Sequence, residues 1–252
     1  MKKSLMTLGV LALFVLMAYG QEKKFALYSV AFYNMENLFD TIHDEGKNDY
    51  EYLPNGTNQW NTMKYKAKLK NMSEILSMLS TDKLPMGPAI IGVSEIENYR
   101  VLEDILKQPA LADRGYQYVH YEGADQRGVD CAFFYNPKLF ELTNSKLVPY
   151  VYINDTVHKT RGFLIASGNI AGEKMHFIVN HWPSRAAASP VRERAGEQVR
   201  AIKDSLLKED SAAKIVIMGD MNDDPMDKSM AVALGAKRKP ADVGPTDLYN
   251  PW

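Results

Sequence analysis

The chain has 252 residues, with 30 Lys and Arg against 31 Asp and Glu, and one cysteine, Cys131. A net charge near zero excludes a chain that is basic throughout, so any nucleic-acid contact must come from a local patch. One cysteine excludes an internal disulfide.

Lys2 and Lys3 precede an apolar run from Leu8 to Ala18, and Ala18-Tyr19-Gly20 sets small residues where a signal peptidase reads. The run is shorter than the roughly 20 apolar residues that span a bilayer. Residues 1–20 are therefore expected to be a cleaved signal peptide, with a mature start near Gln21. No cysteine stands near the cut, which speaks against a lipid anchor. Export without disulfides suits a bacterial periplasm or outer surface. The remaining 21–252 suffice for one sizeable domain.

The first strand is expected over 25–34. Residues 41–60 read as a long polar surface loop, with Tyr50, Tyr52 and Trp60 available to stack on a ligand or meet lipid. The apolar spacing over 62–79 predicts an amphipathic helix. A strand at 89–94 and a short helix at 99–107 follow. Strands are expected at 116–121, 129–136 and 139–152, with a turn at Asn136-Pro137. A further pair, 161–170 and 174–181, flanks Ala171-Gly172-Glu173. A helix over 191–208, a strand at 214–219 and a short helix at 226–235 complete the ordered part; Lys237 to Trp252 shows no periodicity. Segments 89–93 and 214–218 are apolar on both faces and need cover on each side. Two sheets packed face to face with helices outside would supply it. Cys131 lies in an apolar stretch and reads as a core residue.

Four of these apolar runs end in polar groups. Val30–Tyr33 leads into Asn34 and Glu36, Ile90–Val93 into Ser94-Glu95, Phe177–Asn180 into His181, and Ile215–Gly219 into Asp220-Met221-Asn222. Side chains at strand ends sit on the rim of a sheet. Oxygen ligands of this kind suit a hard divalent cation, and a His suits proton transfer or phosphate stabilisation. The chemistry indicated is metal-assisted phosphodiester hydrolysis.

Each residue also has a plainer reading. Glu95 is a metal ligand or a solvated charge near the cap formed with Glu97 and Asn98. Asn34 and Glu36 share one side of the strand if the extended geometry persists, and otherwise Asn34 closes an Asx turn. His181 is a site residue or an interface His stacked on Trp182. Asp220 can orient an attacking water and Asn222 can donate to a phosphate oxygen. Arg127, Arg185, Arg192 and Arg194 are candidate phosphate clamps or ordinary surface charges.

Taken in order, Asn34-Met35-Glu36-Asn37-Leu38-Phe39-Asp40, Glu95, Arg127-Gly128-Val129-Asp130, His181-Trp182-Pro183-Ser184-Arg185 and Gly219-Asp220-Met221-Asn222 resemble the endonuclease/exonuclease/phosphatase superfamily. Its members include pancreatic-type deoxyribonucleases, abasic-site endonucleases, sphingomyelinases and inositol-polyphosphate phosphatases. The likeness is greatest to the secreted bacterial branch and spans about residues 27–225. The resemblance implies an α/β fold, a four-layer αββα sandwich, with Mg²⁺ or Mn²⁺ at its open end. It implies Glu95 as principal metal ligand, helped by Asn34 and Glu36. Asp220 would position or deprotonate the attacking water, and His181 and Asn222 would stabilise the charge on phosphorus. Arg127, Arg185 and Arg194 would bind flanking phosphates. The expected partner is a phosphodiester, nucleic acid among the candidates; neither stable membrane insertion nor a protein partner is expected.

The pattern breaks near the end. Family members close with a late Ser-Asp-His, whereas here Asp242 and Asp247 are the last acidic groups and no His follows His181. The expectation is a domain incomplete at its C-terminus with weak or no turnover, read first as a fragment of a longer protein and otherwise as a natural truncation that has lost activity or a site completed by a partner chain.

Overall fold

The computed structural model describes residues 26–252. The expected signal peptide, 1–20, lies outside the described residues. Two four-stranded mixed sheets stack face to face. The first has the order β1-β2-β4-β3, built from β1 (Val30–Leu38), β2 (Ile90–Ile96), β3 (Gln117–His120) and β4 (Asp130–Tyr135). The second has the order β5-β6-β7-β8, built from β5 (Glu141–Val148), β6 (Phe163–Ile170), β7 (Glu173–His181) and β8 (Lys214–Asp220).

Three apolar clusters define the layers. Ile90, Phe133, Phe140, Leu164, Phe177, Val179 and Met218 fill the space between the sheets. Ile91, Val93 and Phe134, on the other face of the first sheet, pack under α1 (Thr62–Ser77) and α2 (Tyr99–Leu106). Ile165, Ile178 and Trp182 pack under α3 (Ser189–Glu209). The period-2 alternation along β2 and β7 thus feeds two cores from one strand. The result is the expected four-layer sandwich.

Local chemistry places the ends. Asn61 accepts from Lys64 N to start α1, and Asn98 accepts from Arg100 N and Val101 N to start α2, as N-cap residues do. Ala171 and Gly172, both at positive φ, join β6 to β7 in a two-residue hairpin, the geometry that matches strand twist. Cys131 is buried between the sheets, and burial pushes its thiol up to about 12.

Several expectations shift. β1 begins at Val30 rather than 25 and continues past Asn34 to Leu38. β5 stops at Val148, because Tyr150 turns away to donate to Val191 O at the start of α3. The segment expected as a helix at 226–235 is a π-helical turn, Ser229–Leu234, pressed on α3 where Gly196 leaves room for the Ser229 carbonyl. The tail carries a 3₁₀ turn, Pro240–Asp242, and a short parallel ladder, β9 (Ala236–Lys237) with β10 (Leu248–Tyr249). β8 is only half-buried rather than covered on both faces, because it is an edge strand of its sheet, as β1 is of the other. The two edges line one open groove with Met221 and the tail.

Gly219 of β8 pairs with Asn180 of β7. A Cβ there would fall 2.3 Å from Asn180 O and 2.7 Å from Asn180 Cβ. Gly219→Ala is expected to destabilise the fold by roughly 1–3 kcal/mol through overpacking against backbone. A lowered urea midpoint checks it, and an unchanged midpoint refutes it.

Candidate active site

β1 and β2 run parallel in one sheet, and β7 and β8 run parallel in the other. The C-terminal ends of both pairs meet at one end of the sandwich. Asn34 stands opposite Ser94, and His181 opposite Asp220. Glu95 reaches this end through a β-bulge. Ser94 pairs with Cys131 and Ile96 with Asp130, so Glu95 is an extra residue at φ 59°. Plain alternation would have sent Glu95 to the face of Ile91 and Val93, under the helices. The bulge re-aims it.

Glu36 (φ 51°), Asn37 (φ 59°) and Asn222 (φ 53°) share that left-handed conformation, so four of the seven described non-glycine residues with positive φ surround one site. Such conformations cost of order 1–3 kcal/mol each and concentrate at functional sites.

Asn34 Nδ2 donates to Glu95 Oε1 and to Asp220 Oδ2, each at 3.1 Å. Asn37 N donates to Glu95 Oε2 at 2.9 Å. His181 Nε2 lies 3.5 Å from Glu95 Oε1. One ligand atom each from Glu95, His181 and Asp220 fall within 4.8 Å of one another. Asn222 N donates to Asp220 Oδ1 at 3.0 Å, and Asn222 Nδ2 to Trp182 O at 3.0 Å. Burial, followed by the nearby Arg161 guanidinium, pushes the His181 imidazole down to about 3, so the ring is neutral at physiological pH.

Residues 181 and 182 separate by alternation. Trp182 turns into the core under α3 while His181 faces Glu95. The Asx turn and the site role of Asn34 coexist, since its Oδ1 accepts from Glu36 N at 2.7 Å. That bond commits the amide oxygen and aims Nδ2 at the carboxylates.

Glu36 is not brought to the cluster. It is exposed, its carbonyl bonds Lys68 Nζ, and the extended geometry that would align it with Asn34 is broken by its own positive φ. Arg127 is half-exposed and braced by Asp125, with Nε–Oδ1 at 3.4 Å. Arg185 is held by Asp223, Asp224 and Asp227, which spend its charge. Arg192 is buried against Asp223 at 2.7 Å, a structural pair. Arg194 bonds Glu197 and Val151 O, outside the cluster. In the 41–60 loop, Tyr52 stacks on Phe39 with centroids 4.1 Å apart, and Trp60 Nε1 donates to Phe39 O. Only Tyr50 of the three aromatics remains exposed.

Sequence reasoning missed Arg161. It is 7 % exposed, pairs with Asp125 at 2.9 Å, and donates through Nη2 to Trp182 O at 2.9 Å. The available signal was an Arg directly before the apolar strand 163–166, where a cation must be paired to be buried.

The residues fit a hard divalent cation. Two carboxylates converge, and among the described residues neither forms an ion pair with Lys or Arg. Carboxylate oxygens beside an imidazole suit Mg²⁺ or Mn²⁺.

The two-sheet sandwich carries acidic, amide and imidazole groups together at one end. The chain belongs to the Endonuclease/Exonuclease/phosphatase family, whose sequence profile matches residues 29–252. Two solved structures share the fold. TDP2 from D. rerio, complexed with single-strand DNA product, is 17% identical, over 82% of this chain and 64% of its own, at a TM-score of 0.53. ANGEL2, a 2',3'-cyclic phosphatase, is 14% identical, over 81% of this chain and 55% of its own, at 0.56. The chain spans less than two thirds of the length of either. No curated protein matches the sequence.

Proposed function

We propose that this chain is an exported, divalent-metal-dependent phosphodiester hydrolase of nuclease type, using Mg²⁺ or Mn²⁺. The carrying observation is the convergence of Glu95, Asp220 and His181 within 4.8 Å from strands of both sheets. The leader-like residues 1–20 support export. No helix among the described residues is long and apolar enough to cross a membrane.

Glu95 and Asp220 would hold the cation, which supplies charge neutralisation at the phosphate when bound. Asp220, steadied by Asn34 and by Asn222 N, places a carboxylate oxygen to hold the attacking water and take its proton. The neutral His181 offers an N–H donor, and the second Nδ2 hydrogen of Asn222 another, to the oxygens on which charge grows. Arg127 reaches from the rim toward a flanking phosphate. Arg185 and Arg194, already paired, contribute less than the resemblance implies.

A phosphatase or lipid phosphodiesterase of the same fold is the second reading. It is favoured by the near-neutral charge, since nucleic-acid enzymes use a basic face. A non-catalytic protein that retains the site is the third. One imidazole, His181, serves the cluster among the described residues. Asp247 instead accepts from Gly244 N in the tail. With a single imidazole at the cluster among the described residues to act as acid or base, turnover is expected to be slow.

The test is the purified chain with Mg²⁺ or Mn²⁺ on DNA, RNA, bis-p-nitrophenyl phosphate and sphingomyelin, alongside calorimetric metal binding. Metal binding with slow hydrolysis, lost in Asp220→Asn, is the expected result. Binding without hydrolysis of any substrate favours the non-catalytic reading, and absence of metal binding overturns the metallohydrolase. Fast hydrolysis abolished by His181→Ala refutes the expectation of slow turnover.

A further inference from the structure

Three buried side-chain atoms near the site have no hydrogen-bond partner among the described residues: Arg161 Nε, His181 Nδ1 and Ser94 Oγ. Buried polar groups are nearly always satisfied, and isolated exceptions call for an explanation. Strand register and one hydrogen bond place these residues at the same end of the sandwich. A Cβ on Gly92 of β2 would meet Met218 Sδ at 2.6 Å and Val179 Cγ2 at 3.1 Å. Two residues on, the same faces present Ser94, Asp220 and His181. Arg161 bonds the carbonyl of Trp182, the residue next to His181, and its remaining donor on that fork is Nε.

The chemistry of the three atoms is complementary. Arg161 Nε–H can only donate, and Ser94 Oγ can donate or accept. A neutral imidazole carries one N–H and one lone pair. Nε2 faces the Glu95 carboxylate at 3.5 Å, which favours the proton there and leaves Nδ1 as the acceptor. One ordered water with two to four polar partners is the usual way such a set is joined.

We propose that Arg161 is a positioning residue for His181. With Ser94 and a shared water it presents donors to Nδ1, which fixes the Nε2–H tautomer and aims that N–H toward Glu95. His181 then acts as a hydrogen-bond donor at the site and not as a metal ligand through Nε2. Asp125 holds Arg161 in place through Nη1. The donation to a phosphate oxygen rests on the hydrolase reading above; the tautomer does not.

The experiment is long-range ¹H–¹⁵N spectroscopy of the metal-free, ¹⁵N-labelled full chain at neutral pH, with the His181 ring assigned by loss of its signals in His181→Gln. In the unmodified chain, protonated Nε2 and unprotonated Nδ1 are expected. Arg161→Met is expected to populate both tautomers, and Ser94→Ala to move the shifts the same way by less. Added Mg²⁺ is expected to leave Nε2 protonated. A proton found on Nδ1 in the unmodified chain overturns the proposal, as does a tautomer unchanged in both variants. Should Arg161→Met fail to fold, the unmodified chain and Ser94→Ala decide. None of these signals needs turnover, so a chain that hydrolyses nothing speaks against the hydrolase reading and leaves the tautomer assignment standing.

Discussion

Asp125→Ala is expected to destabilise the fold by about 3–5 kcal/mol, the cost of leaving a buried charge without its partner. Asp125 and Arg161 are each 7 % exposed and meet at 2.9 Å. Removing the carboxylate strands the guanidinium in the interior and also releases Arg127 N, which donates to Asp125 Oδ1 at 2.9 Å. Burial draws the Asp125 carboxyl upward, yet Arg161 and its hydrogen bonds outweigh this and leave it below the usual range. A carboxylate depressed on folding adds stability above its unfolded pKa of about 3.9 and loses it as pH falls through the lower folded value. The gap between the unmodified chain and Asp125→Ala should therefore be full at pH 7 and shrink on acidification below about pH 4. Urea unfolding at both pH values measures it. A gap under about 1 kcal/mol at pH 7, the level of an exposed pair, contradicts the assignment of a buried one.

Glu95→Gln is expected to remove the stabilisation by divalent ions while leaving the metal-free protein as stable as before or more so. In the absence of an ion, Glu95 and Asp220 repel across the Asn34 amide. The glutamine keeps an oxygen for Asn37 N and deletes one of the two charges. In the unmodified chain, an ion at 100 times its dissociation constant should add about 2.7 kcal/mol. The variant should bind the ion at least roughly 100-fold more weakly, beyond the 10–100-fold typical of losing an outer partner. Thermal scans with and without Mn²⁺, and calorimetric titration, read both effects. An undiminished Mn²⁺ shift in Glu95→Gln removes this residue from the metal site.

Much of the fold was legible because apolar periodicity changes from 2 to 3.6 at clear boundaries. Residues 62–79 and 191–208 carry helical stripes, and 89–94 and 174–181 carry buried runs, and each became the expected element. The failures share a cause. Glu36 was placed beside Asn34 by assuming unbroken alternation, and a left-handed residue destroys alternation without leaving a composition signal at Glu or Asn. The bulge at Glu95 is equally silent in the sequence, yet without it the carboxylate would lie under the helices. Arg185 and Arg194 looked available because partners such as Asp227 or Val151 become neighbours only in three dimensions. Arg161 was overlooked for the converse reason. Its value lies in Asp125 and Trp182, 36 and 21 residues away.

The two parallel strand pairs have one more consequence. Asn34 and Glu95 ride on one sheet, and His181 and Asp220 on the other. On the proposed reading, an ion held by both would act as a rivet through the sandwich. It would reward only those states in which the layers have stopped sliding. A loosely collapsed intermediate, with every strand formed but the layers unlocked, would hold the ion no better than scattered carboxylates do. Ion capture by this chain would in that sense be a readout of finished assembly.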